Sequence, residues 1–94
     1  MSETIDQVVA EMNRRIGGSY DGSAKFVIEG EGAVTLDASG ARAADDPARV
    51  TLTAGLETFR RIFEGDLDPT TAFMTGRLGI EGDMGEAMRL ARAL

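Results

Sequence analysis

The chain has no cysteine and no histidine. Without cysteine there are no disulfides, no thiolate nucleophile, no zinc ribbon and no iron–sulfur cluster. A cysteine-free chain folds equally well in an oxidising or a reducing compartment. Without histidine the commonest general base and the commonest metal ligand are gone. A Ser-His-Asp triad and an HExxH zinc site are both excluded. Aromatics are scarce at 5%: Tyr20, Phe26, Phe59, Phe63 and Phe73. The core must therefore rest on aliphatic residues, Ala and Met. Only two prolines occur, Pro47 and Pro69, both at expected element boundaries.

Basic residues are outnumbered, 10 against 16 acids, for a net charge of -6. That balance disfavours nucleic acid, whose binding relies on clustered Lys and Arg. It disfavours an anionic membrane surface for the same reason. No apolar run approaches the length of a transmembrane helix or a signal-peptide core. The N-terminal Met1-Ser2-Glu3-Thr4 is polar and acidic, and the expected location is the cytoplasm. A single Lys, Lys25, against nine Arg in an Ala- and Gly-rich background is compatible with a GC-rich bacterial genome.

What is present is 94 residues, 43% of them hydrophobic. That length supports one domain, 1–94, able to bury roughly two-thirds of its unfolded surface. Ile5, Val8, Val9, Met12 and Ile16 predict a helix from Thr4 to Ile16, stopped by Gly17-Gly18. Thr4 and Gln7 have capping-box spacing. Strands follow over 25–29 and 33–38, joined by a Gly30-Glu31-Gly32 turn. A short strand is expected over 41–45, and a clearer one over 49–53 with Val50 and Leu52 inward. A helix over 55–64 carries Leu56, Phe59, Ile62 and Phe63 as its stripe, with Glu57 and Arg61 as a supporting pair. Asp68-Pro69 starts a short helix that ends near Gly76. Residues 77–81 form a last strand, with Leu78 and Ile80 inward. Asp83 and Glu86 then have capping-box spacing before a final helix. Its stripe is Met84, Ala87, Met88, Ala91 and Leu94, with Arg89 and Arg92 in the last turns. This order fits an α+β domain with a mainly antiparallel sheet and helices over one face. The last strand, arriving after a helical crossover, is expected to pair in parallel with an early strand.

Few residues offer chemistry. Gly30-Glu31-Gly32 opens like a dinucleotide-binding loop, but no helix follows, and a hairpin turn explains it. Asp66-Leu67-Asp68 opens like a calcium loop, but its twelfth position is Arg77, and helix capping accounts for Asp68. The other carboxylates read as solvated surface or caps rather than a catalytic pair. Ser19, Ser23 and Ser39 are turn residues with no base available. The apolar side chains of the C-terminal helices remain. Composition favours core packing for them. The alternative is a lining for an apolar ligand, for which flexible Met is well suited.

The stretch from Gly65 to Leu90 is more specific. It reads GDLDPTTAFMTGRLGIEGDMGEAMRL. A Pro-led short helix, then Ala-Phe-Met-Thr-Gly-Arg-Leu-Gly-Ile-Glu-Gly-Asp-Met-Gly-Glu-Ala-Met-Arg-Leu, resembles the sterol carrier protein type 2 domain family. Val50-Thr51-Leu52-Thr53 with the following helix, and the first hairpin, agree loosely with the same layout.

The resemblance implies a five-stranded mixed sheet, mainly antiparallel, with helices across one face enclosing an apolar tunnel or cavity. It implies non-covalent binding and transfer of lipids: fatty acids, fatty acyl-CoA or sterols, with no cofactor and no catalysis. The lining positions it carries over are Leu56, Phe59, Phe63, Phe73, Met74, Ile80, Met84, Met88 and Leu90. The expected partner is a lipid or other hydrophobic small molecule, with at most transient membrane contact. A protein partner or a homodimer stays open. Arg92-Ala93-Leu94 does not match the peroxisomal tripeptide that ends many longer members. A chain without their tail is expected to have a smaller, more open or filled pocket. That shifts the expected ligand from a sterol toward a fatty-acyl chain. The alternative function is an interaction or accessory module of the same fold with a filled or vestigial cavity.

Overall fold

The structure, a computed structural model, describes residues 3–93. The N-terminal Met1-Ser2 and Leu94, expected on the final apolar stripe, lie outside the described residues. The elements run α1 (Glu3–Ile16), β1 (Ala24–Ile28), β2 (Gly32–Asp37), β3 (Gly40–Arg42), β4 (Val50–Ala54), α2 (Leu56–Phe63), α3 (Pro69–Met74), β5 (Gly79–Gly82) and α4 (Met84–Ala93). The five strands form one mixed sheet in the order β3-β2-β1-β4-β5. The α+β architecture follows the sequence reading. No helix among the described residues is long and apolar enough to cross a membrane.

One expectation about pairing is corrected. The parallel neighbours are β1 and β4, whereas β5 runs antiparallel to β4, with Gly79 opposite Thr53. The reason lies in the connections. Between β4 and β5 the chain goes out along α2 and back along α3. Two short helices thus return it to the end of β4 that it left, and an antiparallel strand follows. Between β3 and β4 the chain instead crosses the outer face of the sheet. There Thr35, buried within β2, donates its hydroxyl to the Ala44 carbonyl at 2.8 Å and accepts from the Asp46 amide at 3.1 Å. Lys25 meets Asp45 at 2.7 Å, and the Arg49 amide donates to Ser23 Oγ at 2.9 Å. These bonds carry the chain back to the starting edge of β1, so β4 must run parallel to it. They also limit β3 to three residues, shorter than the strand expected over 41–45.

The register sets one apolar row across the inner face. Val34, Phe26, Leu52 and Ile80 stand side by side on β2, β1, β4 and β5. Residues paired across strands point to the same face, so the row forms a continuous apolar surface. Ile5, Val8 and Met12 of α1 are buried over β2 and β3. Asn13 fixes the end of that helix: its Nδ2 donates to the Ala41 carbonyl at 3.0 Å and its Oδ1 accepts from the Ala41 amide at 2.8 Å. At the opposite edge, Gly82 has φ +107° and its Cα faces the Arg49 carbonyl so closely that a Cβ there would collide with it. Only glycine lets β5 close on β4 at this point.

Three local expectations change. Thr4 lies within α1, which already includes Glu3, so it is not the cap. Glu57 pairs with Arg60 at 3.4 Å, and Arg61 with Asp66 at 3.1 Å, so the supporting pair is three apart rather than four. Asp83 caps α4 by accepting from the Glu86 amide at 3.1 Å, but the Glu86 side chain does not reach back. It turns inward to the start of β1 instead, where it is buried.

Candidate functional site

The helices leave an apolar cleft of about 150 Å³ over the β1, β4 and β5 part of the sheet. Its floor is three members of the apolar row, Phe26, Leu52 and Ile80. One wall is α2, which presents Phe59, Ile62 and Phe63. Phe59 and Phe63 are four residues apart and so share a helix face. Phe59 meets Phe26 edge-on at 5.7 Å and stacks with Phe63 at 6.3 Å, which anchors this wall to the floor. A second wall is α3 with the following turn: Pro69, Thr70, Phe73 and Leu78. Asp68 holds the start of that helix by accepting from the Thr71 amide at 3.1 Å. The third wall is α4, with Met84, Ala87, Met88, Leu90 and Ala91. Thr70 is the one lining residue with a polar side chain, and no charged residue borders the cleft. Phe59 and Leu90 are buried deep in it, while Phe73, Met84 and Met88 stand half-exposed at its mouth.

Of the nine positions singled out from the sequence, the structure brings seven together here: Phe59, Phe63, Phe73, Ile80, Met84, Met88 and Leu90. Leu56 is elsewhere. It sits on the α1 side of α2, in a hollow with Thr4, Val8 and Glu11 that Phe59 and Phe63 divide from the cleft. Met74 points to solvent and borders no part of the cleft. Sequence reasoning missed the strand residues Phe26 and Leu52, and Ile62, Leu78, Ala87 and Ala91 from the helical side. Ile62, Leu78, Leu52, Ala87 and Ala91 fall on inward-facing apolar positions of the sequence pattern, a usable signal. That Phe26 and Leu52 share one floor depends on the β1·β4 pairing, which no local pattern carries.

Behind α4 lies a small polar cluster. Glu86 is buried, its Oε2 accepting from the Ser23 amide at 3.0 Å and its Oε1 paired with the Arg89 guanidinium. Burial works to raise the Glu86 pKa, but the Arg89 guanidinium and the Ser23 amide outweigh it and hold the carboxyl below its usual range. Arg89 also lies 5.8 Å over the Tyr20 ring. Burial, and then the Glu86 charge, push the Tyr20 phenol up, with Arg89 partly opposing them. The cluster ties α4, and hence one wall of the cleft, to the first strand. Among the described residues no group of three or more side chains is placed to hold a metal ion. What the cleft offers chemically is desolvation of apolar groups.

Comparison with known proteins agrees with this geometry. The chain matches the SCP-2 sterol transfer family over residues 11–94. It is 35% identical over 103 aligned residues to hydroxysteroid dehydrogenase-like protein 2 of Danio rerio, covering 100% of this chain and 24% of that protein. The chain thus spans about a quarter of the length of the curated relatives it matches over its whole length. Among solved structures, sterol carrier protein 2 like 2 of Aedes aegypti superposes with a TM-score of 0.79 at 21% identity, covering 97% of this chain and 96% of that one. Sterol carrier protein 2 of Aedes aegypti, solved in complex with the C16 fatty acid palmitate, gives 0.78 at 22% identity, covering 98% and 94%. The structures share the fold, and the family match spans nearly the whole chain: it belongs to the SCP-2 sterol transfer family.

Proposed function

We propose that the chain binds and hands on a lipid acyl chain, as fatty acid or fatty acyl-CoA, without reacting with it. The observation that carries this reading is the cleft, with fourteen apolar side chains and one threonine around it. Burying a methylene contributes about 0.8 kcal/mol, so a few carbons of an acyl chain suffice for useful affinity. Seven of the residues named above, from Phe59 to Leu90, would touch ligand. The volume of about 150 Å³ lies below the usual range for small-molecule pockets, about 300–1,000 Å³. A narrow, flexible chain can enter such a cleft in part and leave its remainder at the mouth. A rigid sterol nucleus would need the walls to part further, so it ranks second. The palmitate complex of the Aedes aegypti protein supports the same ligand class. No cofactor is required, since holding an acyl chain breaks no bond.

The test is displacement of a fluorescent fatty acid by unlabelled palmitate, palmitoyl-CoA and cholesterol, with melting temperature followed in parallel. A ligand present at about 100 times its Kd stabilises the fold by about 2.7 kcal/mol, which is roughly 10–20 °C in a domain of this size. If no lipid displaced the probe or raised the melting temperature, the reading would fail.

A second reading rests on the vertebrate relatives, which are dehydrogenase-like and about four times as long. In it the domain is an accessory module beside an enzyme, with a vestigial cleft. Retention of one fixed protein partner through gentle purification, with no response to lipid, would favour it.

A further inference from the structure

In a chain without cysteine, the methionine thioethers are the softest nucleophiles. Four of the five methionines lie among the described residues, in three environments. Met12 on α1 is fully buried, at 0% exposure. Met74, at the end of α3, is 78% exposed and borders no part of the cleft. Met84 and Met88 line the cleft and are also open to solvent, at 45% and 59%. They lie four residues apart on α4 and so share the face that forms its wall.

At about 150 Å³ the cleft takes only part of an acyl chain, and the rest stays at the mouth. An unsaturated acyl chain that has reacted with dioxygen carries a hydroperoxide on a carbon within the chain. Burying such a polar group without hydrogen bonds costs about 2–7 kcal/mol. The apolar end therefore enters, and the hydroperoxide stops at the mouth. There the two thioethers are its reactive neighbours. Thr70, also exposed, is the one lining residue whose side chain can hydrogen-bond to it.

We propose that Met84 and Met88 reduce a fatty acyl hydroperoxide held in the cleft to the corresponding alcohol. This rests on the reading of the cleft as an acyl site. A lone pair on the methionine sulfur attacks the terminal oxygen of the hydroperoxide. The O–O bond breaks and an S–O bond forms. The proton on the transferred oxygen moves to the departing alkoxide. Sulfur gives up two electrons and becomes a sulfoxide, while the peroxide takes them and leaves as the hydroxy lipid. Each thioether reacts once, and enzymatic reduction of the sulfoxide restores it. Holding the peroxide beside the sulfur raises its effective concentration far above that in solution. Met74, outside the cleft, meets only the solution concentration. The sulfoxide is polar, so the reaction also weakens the hold of the mouth on an apolar chain.

The test maps methionine sulfoxide by peptide mass spectrometry after exposure to hydrogen peroxide or to linoleic acid hydroperoxide. Displacement of the fluorescent fatty acid by the same hydroperoxide and by palmitate is followed in parallel. Hydrogen peroxide should oxidise Met74 first, then Met88 and Met84, with Met12 last, in the order of exposure. The lipid hydroperoxide should instead oxidise Met84 and Met88 ahead of Met74. The ratio of Met88 to Met74 sulfoxide should rise roughly tenfold, reflecting the gain in effective concentration. Excess palmitate should abolish that change, and hydroxy acid should form in step with the sulfoxides. Met74→Leu should leave the yield of hydroxy acid unchanged. Met84→Leu combined with Met88→Leu, which nearly conserves volume, should remove most of that yield at saturating hydroperoxide. The proposal is overturned if Met74 leads with both oxidants or if palmitate leaves the pattern as it was. It is also overturned if the double variant makes as much hydroxy acid as the wild type. Displacement of the probe without the change of order would overturn this inference alone. Failure of both palmitate and the hydroperoxide to displace the probe would overturn the cleft reading as well.

Discussion

The buried carboxylate of Glu86 on α4 accepts a hydrogen bond from the backbone amide of Ser23, 63 residues earlier at the start of β1, at 3.0 Å. The two sites join the last helix to the first strand, and the last helix is a wall of the cleft. Glu86→Ala leaves the Ser23 amide and the Arg89 guanidinium without their partner. A hydrogen bond to a charged group contributes about 1.5–3 kcal/mol, so the variant should lose about 2 kcal/mol and roughly 10 °C of melting temperature. Urea unfolding and calorimetry measure both. A variant as stable as the wild type would show that this bond contributes nothing.

The same carboxylate shapes the acid limb of stability. Its pKa is held below the ordinary value of 4.5 in the folded chain. Such a group stabilises the fold fully above its unfolded pKa, and the contribution disappears as pH falls through the lower folded value. Glu11 and Asp37 are depressed as well, by their arginine partners first, and they stay unchanged in Glu86→Gln. The difference between wild type and Glu86→Gln in urea midpoint should therefore be constant above about pH 5 and shrink below it. A difference independent of pH would contradict the assignment.

Tyr20 gives a direct optical reading of that cluster, since it is the one tyrosine and the chain has no tryptophan. Burial, then the Glu86 charge, push its phenol above 10.0. Absorbance titration of the folded protein should give a midpoint above 10.0, returning to about 10 in urea. Glu86→Gln should move the folded midpoint down, because the repelling charge is gone.

Met88 should separate cleft from core. It is 59% exposed at the mouth, so Met88→Trp should change stability by no more than about 0.5 kcal/mol. The indole should fill part of the cleft and weaken fatty-acid binding roughly tenfold, equivalent to about two methylenes left unburied. Leu56→Ala is the contrasting variant. Leu56 sits in the α1–α2 hollow, so its loss should lower stability and leave affinity unchanged. Unchanged affinity in a folded Met88→Trp protein would remove Met88 from the lining.

Gly82→Ala should destabilise the sheet by more than about 1 kcal/mol, measured by urea unfolding. The added Cβ would meet the Arg49 carbonyl and the Val50 Cα, the latter at 3.2 Å, from a backbone with φ +107°. Because β5 carries Ile80 into the cleft floor, fatty-acid affinity should fall as well.

The sequence by itself determined the elements and their order, and it excluded most covalent chemistry. Each element depends on neighbours a few residues away. Ile5, Val8 and Met12 recur at helical spacing, Asp68-Pro69 starts a helix, and Gly17 ends one with its amide bonded to the Asn13 carbonyl at 3.0 Å. The C-terminal motif was equally local, and it placed most of the helical lining. Tertiary structure decided what lies opposite what. Phe26, Leu52 and Ile80 form one floor only because a crossing over the outer face makes β1 and β4 parallel. Leu56 and Phe59 share a stripe in sequence and both border the α1–α2 hollow, yet only Phe59 also reaches the cleft. Glu86 has the spacing of a cap, but its carboxylate is drawn to a distant amide and a guanidinium that no local pattern contains. The first seven residues of α4 looked like an ordinary amphipathic start. Long-range register, set by chain crossings rather than by spacing, made them one side of a cleft and Glu86 its fastening.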